Sequence, residues 1–153
     1  ENFPNMLFIQ VGGLQSDIER WKKRYHKYEN ITFVPHIENK ILVKYQMCAD
    51  LLFFPMTKQT PTWWCCSPMK IFEYMATGIP ILGVRIGSIG EILNDENCIV
   101  FQTDEPNSIC DGVSSFLQDE KKASILAKNA VHLIRQQYTW TKRAENINRF
   151  ITK

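Results

Sequence analysis

Ser67-Pro68-Met69-Lys70-Ile71-Phe72-Glu73-Tyr74-Met75-Ala76-Thr77-Gly78-Ile79-Pro80 is the stretch from which the rest of this 153-residue chain is read. Serine followed by proline marks a helix start, with Ser67 as N-cap and Pro68 at the first helical position, where a missing N–H costs nothing. Gly78 supplies the helix stop, and Pro80 bars continuation. Short apolar runs lie on both sides, residues 50–55 before and Ile81–Val84 after, of the kind buried on both faces of a parallel sheet. Strand, loop, helix and strand in that order form a crossover unit, which is right-handed when its strands are parallel.

The same unit recurs outward. Upstream, residues 6–11 form an apolar run buried on both faces and ending at Gly12-Gly13; Ser16 and Glu19 then have capping-box spacing and open a helix to about Tyr28. Ile31–Val34 reads as a strand and residues 38–49 as a helix. Downstream, Ser88 and Glu91 repeat the capping-box spacing, and residues 98–101 make a last strand. From Pro106 the pattern is helical almost to Lys153, with breaks near Asp119 and Thr139. The fold class is therefore α/β: a Rossmann-like, doubly wound parallel sheet of about five or six strands with a helical C-terminal extension.

Composition narrows the function. At 44% hydrophobic and 22% charged residues the chain suits one globular domain, residues 1–153. Its 18 Lys and Arg against 16 Asp and Glu leave a formal charge of +2, too near balance for nucleic acid or membrane lipid as a bulk partner. The five cysteines include no CxxC pair, so neither a disulfide framework nor a structural zinc site is expected, and a reducing cytoplasm is the natural setting. No apolar run approaches 18 residues and no signal peptide is seen, so the expectation is a cytoplasmic protein with at most peripheral contact at the inner face of the cell membrane.

Ligands of open parallel sheets bind outside the carboxyl ends of the strands. That selects the loops at Gly12-Gly13, at Pro35-His36-Ile37, at residues 55–67 and at residues 85–88. Lys70 falls in the first turn of its helix, where the macrodipole and free N–H groups favour an anion over a cation. A phosphate docked there resolves the misfit, held by backbone N–H groups and neutralised by the Lys70 ammonium. Glu73, one turn on, is placed to accept hydrogen bonds from neutral hydroxyls such as those of a ribose. The competing reading is an exposed i, i+3 ion pair on an ordinary core helix. The physics of these residues alone leaves both open.

The same stretch resembles the signature of glycosyltransferase family 4 and its GT-B relatives, in which a Ser-Pro-x-Lys-x-x-Glu-Tyr-Met-Ala-x-Gly-x-Pro pattern opens the donor-site helix. The resemblance extends through Phe8 to Gly13, Ile31 to Ile37, Asp50 to Pro55, Gly87 to Glu91 and the Tyr138 to Trp140 turn. It implies the donor-binding half of a hexosyltransferase. The diphosphate would lie at Lys70, Ser67, Pro68, Met69, Gly12 and Gly13, and the ribose at Glu73. The base would lie near His36 and Ile37, and the donor sugar near Cys65 and Cys66. It implies no resident cofactor, since the nucleoside diphosphate sugar is substrate. It also implies an acceptor glycan or lipid-linked sugar bound by a separate N-terminal domain, and transfer with retention of configuration. No Asp-x-Asp sequence occurs, and a metal-independent site is expected.

Two departures stand out. Many family members carry a Glu eight positions before the one matching Glu73, where this chain has Cys65, and a thiol is a weak acceptor. The first strand and helix of the donor domain, with an Arg and a Lys that clamp the phosphates, would precede Glu1, as would the acceptor domain; the 153 residues alone are expected to be inactive. Trp63 and Trp64 suit either a sugar-stacking wall or simple packing. Cys65-Cys66 has no resolving motif, the three histidines share no metal spacing, and the Lys22, Lys23, Arg24 and Lys27 cluster reads as a solvated face. The rival functions are a nucleotide-sugar epimerase, a degenerate transferase-like scaffold and, last, a receiver-like domain lacking its acidic cluster.

Overall fold

The computed structural model describes residues 2–152; Glu1 and Lys153, the two ends of the sequence reading, lie outside the described residues. The chain divides into two compact units, Glu1–Cys48 and Ala49–Lys153, each described by itself.

In the first unit the order is β1 (Phe8–Val11), α1 (Gln15–Tyr25), β2 (Ile31–Val34) and α2 (Asn39–Met47). β1 and β2 pair in parallel, Phe8 opposite Ile31 and Val11 opposite Val34. The Gly12 N–H closes the ladder by donating to the Val34 carbonyl at 3.0 Å. Gly12 and Gly13 then take φ of 98° and 114°, a region that L side chains resist, so two glycines make this turn. It delivers the chain into the helix sooner than the capping-box spacing suggests. The N-cap is Leu14, whose carbonyl accepts from Asp17 and Ile18, each at 3.0 Å, and no side chain caps the helix. Ser16 lies inside the first turn instead, where the early start lets Ile18 bury to 2% exposure. Tyr25 of α1 stacks on Phe33 of β2 with ring centroids 6.2 Å apart. β1 is not buried on both faces as expected: Phe8 and Ile9 are 40% and 46% exposed, because among the described residues its ladder has a single neighbour strand.

The second unit runs β3 (Leu52–Phe54), α3 (Met69–Thr77), β4 (Ile81–Val84), a 3-10 turn (Gly87–Glu91), β5 (Ile99–Phe101), α4 (Pro106–Gln118), α5 (Glu120–Gln137) and α6 (Trp140–Ile151). The ladder order is β3-β4-β5, all parallel, with Leu52 opposite Ile81 and Leu82 opposite Ile99. The five strands thus match the expected number and direction, paired as two and three. β4 is central, and all four of its residues are buried. Ile71 and Met75, one turn apart, turn α3 onto the core. α5 answers with Ala123, Leu126, Ala127, Ala130 and Ile134 at helical spacing, and α3 packs against it. α4 lies against β4 and β5, so close that a Cβ on buried Gly112 would meet Leu82 Cδ1. Buried Asn97 is satisfied: its amide donates to the Ile92 carbonyl at 2.9 Å and its Oδ1 accepts from the Asn94 N–H at 3.0 Å. The breaks expected near Asp119 and Thr139 are the two interhelical joints, and α6 buries none of its side chains.

Candidate functional site

The start of α3 is built differently from the reading of Ser67 and Pro68 as cap and first helical residue. Pro68, at φ −67° and ψ 126°, is itself the N-cap, and no side chain hydrogen-bonds to the helix start. Ser67 therefore does not cap it. A proline at the N-cap keeps the preceding residue extended, one position too early for a serine hydroxyl to reach the first helical N–H groups. Pro68 contributes its carbonyl, which accepts from the Ile71 N–H at 3.1 Å. The N–H groups of Met69 and Lys70 thus end the helix without an intrahelical partner. Met69 and Lys70 are exposed, and the first turn carries no acidic residue.

Lys70 and Glu73 lie about 60° apart around α3, away from the buried pair Ile71 and Met75. The Lys70 ammonium has no hydrogen bond or ion pair among the described residues. Glu73 is half-buried. Burial, and secondarily the Glu73 carboxylate, push the adjacent Tyr74 phenol above its ordinary pKa. Phe72 packs on Tyr138 with centroids 5.3 Å apart, which ties α3 to the joint between α5 and α6. At the far end Gly78, at φ 75°, closes the helix, and the Thr77 hydroxyl donates to the Tyr74 carbonyl at 2.7 Å.

The loop from β3 to α3 is clamped at both ends. At the β3 end the Thr103 hydroxyl donates to the Met56 carbonyl at 2.7 Å, and the Lys58 N–H reaches Asp104 Oδ2 at 3.5 Å. At the α3 end Ser88, after β4, donates its N–H to the Trp64 carbonyl at 3.2 Å and its hydroxyl to the Cys66 carbonyl at 2.6 Å. Ser88 is therefore a loop clamp and not the N-cap of a capping box; its helix is a five-residue 3-10 turn whose N-cap is Ile86. Gly87, at φ 48°, abuts the loop backbone: an added Cβ would meet the Trp63 carbonyl oxygen and lie 2.6 Å from Trp64 Cα. Sequence reasoning placed residues 85–88 at a ligand end of the sheet but missed this clamp, because the Ser-x-x-Glu spacing offered Ser88 a local role.

Thus the second unit brings Cys65, Cys66, Ser67, Pro68, Met69 and Lys70 onto one continuous segment pinned against the carboxyl end of β4, with Glu73 one turn along. Cys65 is exposed and Cys66 half-buried. Gly12, Gly13, His36 and Ile37 belong to the first unit, at the carboxyl ends of β1 and β2. There a Cβ on Gly12 would meet nothing within 4 Å among the described residues, and His36 is exposed. A cavity of about 310 Å³ lies elsewhere, against the start of β5 and lined by Cys98, Ser108, Asp111 and Lys122. Its place, away from the strand carboxyl ends, separates it from the loops that sheet topology selects. Among the described residues no three His, Cys, Asp or Glu side chains are grouped to hold a metal ion, and no helix is long and apolar enough to cross a membrane.

Residues 4–149 match the family described as glycosyl transferase-like. A human phosphatidylinositol N-acetylglucosaminyltransferase subunit is 25% identical over 149 residues, covering 95% of this chain and 29% of that protein. Among solved structures, Anabaena HepE in complex with UDP-glucose superposes with a TM-score of 0.78 at 16% identity, over 99% of this chain and 43% of its own. Sucrose-phosphate synthase from Thermosynechococcus elongatus gives 0.72 at 19% identity, over 95% and 37%. The chain spans less than half the length of each of these three proteins.

Proposed function

Since the chain belongs to the glycosyl transferase-like family and has the fold of a GT-B glycosyltransferase domain, we propose that it binds the nucleoside diphosphate sugar donor of a hexosyltransferase. The observation that carries the reading is the start of α3: a helix without a side-chain cap, exposed at its first turn, with a lysine where a helix alone would favour an acid. A diphosphate satisfies both the open N–H groups and the Lys70 ammonium. Ser67, Pro68 and Met69 supply the backbone beside it. Glu73 accepts from the ribose hydroxyls. Cys65 and Cys66 border the sugar.

In this reaction an acceptor hydroxyl attacks the anomeric carbon. The bond from that carbon to the diphosphate oxygen breaks, and the diphosphate departs with the electron pair. The hydroxyl proton passes to a departing phosphate oxygen. The part assigned to this chain is electrostatic: Lys70 and the N-terminus of α3 stabilise the charge that grows on the leaving group, with no metal ion required. The UDP-glucose bound by HepE supports a nucleotide sugar as donor. The acceptor is a glycan or a lipid-linked sugar held by the remainder of a longer enzyme, and transfer retains configuration. The human relative, by its name part of a phosphatidylinositol glycosyltransferase, supports a lipid-linked acceptor.

The test is thermal stabilisation by UDP, GDP, ADP and their hexose conjugates, on the parent chain and on Lys70→Ala and Glu73→Ala. A ligand at about 100 times its Kd adds roughly 2.7 kcal/mol and raises the Tm by several degrees. One nucleotide series is expected to stabilise the parent, and neither variant comparably. Equal stabilisation of Lys70→Ala and the parent would remove the diphosphate from α3.

A further inference from the structure

We propose, on the nucleotide-sugar reading above, that Trp64 is a preorganised platform for the donor's hexopyranose ring and helps select the sugar. Its backbone is held by hydrogen bonds and by a close approach within the second unit. The Trp64 carbonyl accepts from the Ser88 N–H, its Cα packs against Gly87, and the Cys66 carbonyl two residues on accepts from the Ser88 hydroxyl. Inside the loop the Trp63 N–H donates to the Thr60 carbonyl at 3.0 Å, and the Cys65 and Cys66 N–H groups both donate to the Thr62 carbonyl, at 3.1 and 2.9 Å. On this fixed frame the Trp64 side chain stands 64% exposed. A large aromatic on a hydrogen-bonded backbone, yet left in solvent, has apolar area to offer a ligand.

The charge pattern of the segment says which part of the donor this is. From Gln59 to Met69 there is no charged side chain, and Lys70 follows immediately. The cation belongs to the phosphates. The neutral stretch before it, aromatic, hydroxyl and thiol, suits the uncharged part of the ligand. A pyranose ring has hydroxyls at its rim and C–H groups on its faces, and an indole stacks on such a face. Cys65, the next residue, is exposed and carries no carboxylate to grip the rim. Recognition of the sugar therefore falls to ring-face contact with Trp64, with Gly87 and Ser88 as the residues that position it.

The experiment compares binding of UDP alone with UDP-glucose and UDP-N-acetylglucosamine, and the GDP series likewise, on the parent, Trp64→Ala and Trp64→Phe. Because Trp64 is exposed, neither substitution touches the core. Trp64→Ala is expected to leave nucleoside diphosphate affinity within about twofold of the parent and to weaken the nucleotide sugar by about tenfold, the scale of one aromatic contact. Trp64→Phe is expected to recover most of that loss. If the parent binds the nucleoside diphosphate but Trp64→Ala binds the nucleotide sugar as tightly as the parent does, the platform is overturned and the donor reading stands. The platform is likewise overturned if the attached sugar adds nothing to parent affinity. If the parent binds neither ligand, the donor reading fails and the platform with it.

Discussion

The five cysteines look alike in the sequence, and the structure sorts them by burial. Cys48 and Cys65 are exposed, whereas Cys98, between the 3-10 turn and β5, is 2% exposed. Its thiol donates to the Ile81 carbonyl at 3.4 Å. Burial pushes that thiol from 9.0 up to about 12, against the lowering effect of a backbone hydrogen bond from Gly83. The uncharged form is thus favoured in the folded state. Its contribution to stability is fully present below about pH 9, where the unfolded thiol is also neutral, and is lost as pH rises towards 12. Tyr74, also raised chiefly by burial, acts in the same direction. Urea unfolding across pH 8 to 11 should show stability falling, with up to about 1.4 kcal/mol per pH unit from each titrating group. Cys98→Ala should flatten that slope while lowering stability at pH 8. In the native protein at pH 8, iodoacetamide should label Cys48 and Cys65 and spare Cys98.

At the scale of the element, helix starts separate what the sequence shows from what it hides. Asp119 and Thr139 were legible as breaks, and both cap a helix: Asp119 Oδ1 accepts from the Lys122 N–H at 2.9 Å, and the Thr139 hydroxyl accepts from the Lys142 N–H at 3.2 Å. Ser16, Ser67 and Ser88 carry equally good signals and cap nothing. In each case the chain outside the helix decides: two positive-φ glycines start α1 early, Pro68 takes the cap of α3, and the β3–α3 loop recruits the Ser88 hydroxyl. A capping spacing specifies a bond that is available, and tertiary contacts then choose among available bonds. Asp119→Ala should therefore cost about 1 kcal/mol, and Ser16→Ala should stay within about 0.5 kcal/mol of the parent, in paired urea titrations. Comparable losses in both would mean that Ser16 does cap α1 in solution.

Across the whole molecule, the alternation of apolar runs with helical periodicity was enough to give the α/β class and the strand directions. What it could not give is how burial is shared. Residues 6–11 and Ile81–Val84 are both apolar runs, yet Phe8 and Ile9 stand partly exposed while all of β4 is buried. Apolar composition reports what a strand can bury; the number of elements packed around it determines what it does bury. Among the described residues Ile18 is the one buried apolar side chain of the first unit, and the rest of the core, from Leu52 to Ile134, lies in the second. A unit of under 50 residues with so small a core gains little from burial against the entropy of ordering it. Native-state hydrogen exchange should therefore be uneven. The amides of Phe8–Val11 and Ile31–Val34 should exchange through a local opening at least about tenfold faster than those of Ile81–Val84, which wait for unfolding of the second unit. Limited proteolysis should correspondingly leave a resistant piece covering residues 49–153 that unfolds cooperatively. Equal protection of β1 and β4 would show that the two units open as one, and that the stability of the first does not rest on its own buried side chains.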